Sequence, residues 1–230
     1  MKRPVEKHLS HFRLVEVLRS AEGCALCELA TKEEKRYFEH LLYESVNDGG
    51  VRIELTKSRG YCPDHARALL EAGDGLGTAI LYEDRLREVL EFLRKLEEGP
   101  WKSRHGEKVL ESWEEGKGGV CPACHQLEEA RWSHLRTLLE GLGEPEVKET
   151  LEAGAGFCFP HLLSVLETAP DVESSSYLIG VHVRKFSKLL TELQEFVRKQ
   201  DYRFRNEEYG TEKDAWLRAV RMAAGVKVQR

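Results

Sequence analysis

No run of apolar residues in this sequence approaches the ~20 that a membrane-crossing helix needs. The amino terminus, Met1 to Phe12, starts basic but carries charges every few residues, so it lacks the apolar core of a secretory signal. A phosphate-binding glycine loop and a serine nucleophile elbow are both missing. Charge of one sign is not in large excess either: 35 Lys and Arg stand against 40 Asp and Glu, a formal charge of -5, which disfavours nucleic acid or anionic lipid as a partner. Period-two alternation is scarce outside short stretches such as Val51 to Leu55, which argues against a sheet-based fold. What these absences leave is a helical protein expected in the cytoplasm, where thiols stay reduced and cysteines point to metal or catalysis rather than disulfides. The 230 residues suffice for one large or two small domains.

Cysteine is sparse, yet all six residues fall into one repeated pattern. Cys24-Ala-Leu-Cys27 is followed, after 34 intervening residues, by Cys62-Pro-Asp-His65; Cys121-Pro-Ala-Cys124 is followed, after 33 intervening residues, by Cys158-Phe-Pro-His161. The match extends beyond these motifs at an offset of 97, then 96, then 97 again. Leu41-Leu42 corresponds to Leu138-Leu139, Val51 to Val147, Leu55 to Leu151, Gly60 to Gly156, Tyr61 to Phe157, Leu70-Glu71 to Leu166-Glu167, and Asp74 to Asp171. Such self-similarity is the mark of a duplicated structural unit.

Helical periodicity runs through both copies. Leu86, Val89, Leu90, Leu93 and Leu96 form one stripe, and Phe186, Leu189, Leu190, Leu193, Phe196 and Val197 form its counterpart. A helix over about 4–19 precedes the first motif, with Val5, Leu9, Phe12 and Leu18 on one side, and a shorter one at about 106–114 precedes the second. Each unit therefore reads as helix, cysteine turn, long helix, short helix, glycine turn and helix pair. Breakers at Gly99-Pro100 and Gly116-Lys-Gly-Gly119 suit a join. The expected architecture is all-α: a first helical Cys3His unit over 1–100, a second over 101–200, and a C-terminal extension over 201–230 whose helix, about 211–223, presents Trp216, Val220 and Ala223 on one face.

Two thiolates separated by two residues can meet one ion from a tight turn, and structural zinc commonly completes its tetrahedron with a second such pair. Pro63 suits the first helical position, and His65 lies one turn beyond Cys62 on the same face, so both can converge. Pro160 lies one place later, still within a first turn. Helix N-terminal amides would stabilise thiolates at Cys62 and Cys158, and Gly60 and Gly156 would supply the entry turn. The candidate ligands are Cys24, Cys27, Cys62 and His65 for one ion, and Cys121, Cys124, Cys158 and His161 for the other, since relative spacing favours binding within each half over binding between halves. Two filled Cys3His sites would carry -1 each, and four protein ligands close a site that catalysis would need open.

Sharper readings compete with this one. An iron-sulfur cluster uses similar ligands. Cys121-Pro-Ala-Cys124-His125 matches the haem-attachment pattern, but that would strand Cys158 and His161, and Glu28 stands where the first copy needs histidine; His125 reads as an exposed helix residue. A thioredoxin-like centre would need a preceding strand. Zinc thiolates open to oxidation could make a redox or metal sensor. His8 and His11 on one helical face, and the run Lys32, Glu33, Glu34, Lys35 and Arg36, read as solvated surface. Trp216 with Val220 is expected to pack onto the repeats, and Arg218, Arg221, Lys227 and Arg230 are too sparse for a nucleic-acid patch.

With Gly-Tyr-Cys-Pro-Asp-His in one half and Gly-Phe-Cys-Phe-Pro-His in the other, each after a Cys-x-x-Cys, the chain resembles an uncharacterised prokaryotic family of duplicated Cys-x-x-Cys and Cys-x-x-His proteins over about residues 21–200. The resemblance implies metal binding by the same eight residues and no particular substrate. Two structural zinc ions in a helical scaffold or adaptor with a protein partner is the expectation, and a sensor with releasable zinc is the alternative.

Overall fold

The computed structural model describes residues 9–115, 119–204 and 206–226, and among them helices are joined by turns without a strand. The elements are α1 (Leu9–Ser20), α2 (Ala25–His40) running into a π-helical turn (Leu41–Ser45), α3 (Gly49–Lys57), α4 (Pro63–Glu71), α5 (Gly75–Glu97), α6 (Arg104–Glu115), α7 (Pro122–Gly141), α8 (Pro145–Ala153), α9 (Phe159–Thr168), α10 (Val172–Lys199) and α11 (Ala215–Ala224). The all-α expectation holds. Val51 to Leu55, the short alternating stretch, is part of α3. Among the described residues no helix is long and apolar enough to cross a membrane. The expected start of the first helix, residues 4–8 with Val5 and His8, lies outside the described residues, as do Lys227 and Arg230.

Helix starts are dictated locally. Asp48, Asp74 and Asp171 each sit at an N-cap and accept a hydrogen bond from an amide three residues on: Val51 N–H at 3.0 Å, Gly77 N–H at 2.9 Å and Ser174 N–H at 2.7 Å. Each occupies one of the four amide donors a helix leaves unpaired, a contribution of about 1 kcal/mol per cap. Cys62 and Cys158 are the extended N-caps of α4 and α9, with proline in the first turn of each. Just before them Gly60 (φ 93°) and Gly156 (φ 82°) turn the chain through a conformation that side-chain-bearing residues avoid.

The chain divides into two compact units, one made of Met1–Thr31 with Ala130–Arg230, the other of Lys32–Glu129. This division does not follow the expected boundaries at residues 100 and 200; it falls within α2 and α7. In the first unit, Leu14, Val15, Val17 and Leu18 of α1 pack with Val147 and Leu151 of α8, Leu135 and Leu138 of α7, and Leu178 and Val181 of α10. In the second, Phe38, Leu41, Leu55, Tyr61, Leu69 and, from α5, Leu81 form a smaller core, and the rings of Phe92 and Trp113 meet at a tilt with centres 4.3 Å apart. Burying one such aliphatic side chain contributes roughly 1.5–3 kcal/mol before entropy is counted.

Some faces differ from the sequence expectation. On α11 the buried residues are Ala215 and Met222, whereas Trp216 and Val220 are 49% and 55% exposed. The reason is ionic as well as steric: Arg218 reaches Glu192 of α10 at 2.6 Å, which turns a small alanine and a flexible methionine inwards. His11 is buried rather than solvated, its Nε2 3.6 Å from Glu144 Oε2. In the charge run, Lys32, Lys35 and Arg36 are exposed but Glu33 and Glu34 are half-buried. His125 is exposed as expected.

Candidate metal centres

Cys24 immediately precedes α2 and Cys27 lies in its first turn, while Cys158 is the N-cap of α9 and His161 lies in its first turn. A backbone hydrogen bond fastens the two: Ala25 N–H donates to Gly156 O at 3.1 Å. His161 Nδ1 consequently lies 3.3 Å from Cys24 Sγ, 3.3 Å from Cys27 Sγ and 3.2 Å from Cys158 Sγ, and Cys27 and Cys158 sulfurs are 3.8 Å apart. In the second unit Cys121 and Cys124 open α7, and Cys62 and His65 open α4. His65 Nδ1 lies 3.1, 3.5 and 3.3 Å from the sulfurs of Cys62, Cys121 and Cys124, and Cys62 and Cys124 sulfurs are 3.7 Å apart. Within each quartet the four donor atoms lie within 4.8 Å of one another, so each could hold a metal ion.

All eight candidate residues are thus brought together, but not in the expected pairs. Each quartet takes its Cys-x-x-Cys from one half of the sequence and its Cys-x-x-His from the other: Cys24, Cys27, Cys158 and His161 in the first unit, and Cys62, His65, Cys121 and Cys124 in the second. Closeness in sequence misled because helices are stiff. The 16 residues of α2 and the π-helical turn after it rise roughly 30 Å, while the nine residues of α3 rise only about 14 Å, so the 34 residues between motifs do not act as a flexible loop closing on itself.

The electrostatics suit a cation. In the first quartet, hydrogen bonds from Cys158 and Cys27 hold the Cys24 thiol far below its ordinary value, and the same crowding with Cys158 and Cys24, added to burial, drives Cys27 far above it. Burial works against charge on His161, but its bonds to Cys158 and Cys24 outweigh that and raise it to about 9. A thiolate-rich pocket that pulls a proton onto its histidine favours positive charge at its centre. In the second quartet burial raises Cys62, yet the His65 amide at the start of α4 and the neighbouring Cys124 and Cys121 thiols bring it below the ordinary value, while burial and Cys62 push Cys124 up to about 12. Amide stabilisation of Cys62 is what a helix N-terminus should provide.

Sequence reasoning missed several supporting residues. Glu34 Oε1 lies 3.4 Å from His65 Nε2, so the ring that faces three sulfurs with Nδ1 faces a carboxylate with its other nitrogen. Carboxylates in this position orient metal-binding histidines. The repeat offers no clue to it, because Arg131 stands at the corresponding place. Gly225, at the left-handed end of α11 (φ 69°), is packed so closely that a Cβ there would come 3.2 Å from Cys158 Sγ, and its carbonyl oxygen is 3.9 Å from Cys27 Sγ. The C-terminal extension therefore covers the first quartet. His182 supports the same turn: Phe157 N–H donates to its Nε2 at 2.9 Å and its Nδ1–H donates to Leu178 O at 2.7 Å, and burial lowers its pKa.

The fold and the quartets define an all-α protein with two four-residue Cys/His groups that could hold metal. The chain belongs to DUF6062, a family of unknown function, whose model matches residues 5–230 and so includes the C-terminal extension as well as both motif pairs. It is 30% identical over 209 residues to an uncharacterized 23.9 kDa protein in the xynA 3' region of Caldicellulosiruptor sp. (strain Rt8B.4), an alignment covering 90% of this chain and 97% of that protein. No solved structure matches.

Proposed function

We propose that the chain is a helical scaffold or adaptor, made by duplication of one helical unit, in which Cys24, Cys27, Cys158 and His161 hold one structural zinc ion and Cys62, His65, Cys121 and Cys124 hold another. The closeness of each set of four donors carries this reading. Zinc with sulfur at about 2.3 Å and nitrogen at about 2.0 Å in a tetrahedron spaces its sulfurs about 3.8 Å apart and sulfur from nitrogen about 3.5 Å. Sulfur pairs at 3.8 and 3.7 Å and sulfur–nitrogen distances of 3.1 to 3.5 Å are close to that figure. They leave room for a single ion, which favours zinc over an iron-sulfur cluster that would hold its thiolates further apart. The paired glycine turns, Asp caps and cysteine N-caps support duplication.

Action through a protein partner in a reducing compartment fits the surface. Ile179, Val183, Leu190 and Val197 are exposed on α10 at spacings that, with half-buried Phe186 and Leu193 between them, repeat as four and three residues. A helix of like pattern fits such a seam. The net charge of -5, made more negative by two Cys3His zinc sites, gives nucleic acid no attraction. Metal analysis of the purified protein with X-ray absorption tests the reading: two zinc ions per chain, each with three sulfurs and one nitrogen, are expected. Fewer than two tightly bound ions, with helicity indifferent to chelator, would overturn it.

A sensor with releasable zinc is the second reading, favoured by one contrast. In the first quartet Cys24 and Cys158 are buried and only Cys27 is half-buried, whereas in the second all three of Cys62, Cys121 and Cys124 are half-buried. Stoichiometric peroxide would then oxidise two thiolates of the second quartet to a disulfide, the peroxide being reduced to water and the ion released, with the first quartet intact. Release only on global unfolding rejects this reading.

A further inference from the structure

We propose that the first unit contains a binding site for a small organic carboxylate with an apolar body. The inference does not rest on the metal reading. Its site is a cavity of about 420 Å³ between the turn after α8, α10 and α11, within the range of small-molecule pockets, roughly 300–1,000 Å³. Buried Val181 and Met222 and half-buried Phe186 and Leu189 supply an apolar wall.

The charge of the cavity runs against that of the chain. Arg184, Lys185, Lys188, Arg218 and Arg221 line it against Glu22, Glu152 and Glu192, a cationic surplus in a protein of formal charge -5. Most of these cations are already engaged. Arg218 binds Glu192 at 2.6 Å and Asp214 at 2.8 Å, and the Lys185 ammonium donates to the carbonyl oxygens of Glu152 and Gly154. Arg184 lies 3.7 Å from Glu152 Oε1, and Lys188 4.0 Å from Glu192 Oε1. The carboxylates are engaged too, Glu192 by Arg218 and Glu152 by the Tyr177 hydroxyl at 3.2 Å.

Arg221 stands apart. It is half-buried on the cavity wall, and among the described residues its guanidinium makes neither a hydrogen bond nor an ion pair. A guanidinium carries five donors, and those of Arg221 face the cavity with no protein acceptor among the described residues, open to a ligand. A carboxylate satisfies two of them in parallel, and this fork geometry is why arginine recognises planar anions. With the head at Arg221 and Lys188 nearby at the exposed rim, the body of the ligand covers Phe186 and Leu189.

Calorimetric titration of the metal-replete full chain with octanoate, octylammonium and octanol tests this. Octanoate is expected to saturate one site per chain, octylammonium to bind nowhere measurable, and octanol to bind at least roughly tenfold more weakly than octanoate. Arg221→Met should weaken octanoate by a similar factor with zinc content and helicity unchanged, and Arg221→Lys should restore part of it. Lys188→Glu, a change at an exposed position, should weaken octanoate even where Arg221→Met fails to fold. No octanoate binding into the millimolar range, equal binding of octanol and octanoate, or indifference to both Arg221→Met and Lys188→Glu would each overturn the proposal.

Discussion

The crossed composition of the quartets makes a prediction that the ligand list alone does not. Replacing Cys27 and Cys158 together with serine removes two ligands from one quartet and none from the other, because their sulfurs face each other at 3.8 Å in the first unit. Replacing Cys27 and Cys62 together damages both quartets, since Cys62 faces Cys124 in the second. The first double variant should keep one tightly bound ion and the second should keep none. If ions were held within each half of the repeat, the two results would be exchanged. Cys27 and Cys158 are 131 positions apart, and Cys62 and Cys124 are 62 apart; bringing such pairs together from an unfolded chain costs roughly 5 and 4 kcal/mol of loop entropy. The folded units have already met that cost, so an ion prefers them to the unfolded chain by about these amounts. Loss of the first ion should therefore destabilise its unit by up to roughly 5 kcal/mol. Zinc per chain by plasma mass spectrometry and urea unfolding followed by circular dichroism are the assays. One retained ion in Cys27→Ser/Cys62→Ser and none in Cys27→Ser/Cys158→Ser would refute the crossed arrangement.

Further outcomes follow from individual environments. Chelator followed by thiol alkylation and peptide mapping should label Cys62, Cys121 and Cys124 before Cys24 and Cys158; simultaneous labelling would contradict the difference in burial. Leu138→Ala and Leu151→Ala, at fully buried positions, should each cost roughly 2–5 kcal/mol in denaturant unfolding, and a loss below 1 kcal/mol would show that the core around them is not tightly packed. Gly225→Ala places a methyl group near Cys158 Sγ in a left-handed conformation, so it should cost about 1 kcal/mol or more and loosen the first ion, as competition with a chromogenic chelator would reveal. The pKa of His182 is lowered from 6.5, chiefly by burial, so the unfolded chain takes up its proton first. Its stabilising contribution is complete above about pH 6.5 and declines as pH falls towards the folded value, by at most about 1.4 kcal/mol per unit. His182→Gln keeps an acceptor for Phe157 N–H and should flatten the acid limb by that amount; an unchanged pH slope would refute the assignment.

Much of the local structure was legible because its causes are local. Asp74 and Asp171 cap the next helix through a carboxylate three residues from its amide, Cys62 and Cys158 precede a proline-bearing first turn, and Gly60 and Gly156 provide the positive φ before them. Three residues proved misleading for the opposite reason. His11 reads as surface from its own helix, but α8 and the turn before it cover it. Glu34 reads as one member of a charge run, but α4 brings His65 to it. Trp216 reads as the packing face of α11, but the pairing of Arg218 with Glu192 selects Ala215 and Met222.

The sequence by itself determined the candidate donors, the helix starts beside them and the helical class, since motif spacing, capping and periodicity act over a few residues. Which donors share a centre was decided only by tertiary structure. The lengths of α2 and α3, the bond from Ala25 to Gly156 and the packing of two separate cores bring each Cys-x-x-Cys to the Cys-x-x-His of the other half. Covalent proximity favours neighbours in a flexible chain, but rigid helices and buried apolar surface outweigh it, and pairs 131 and 62 positions apart meet instead.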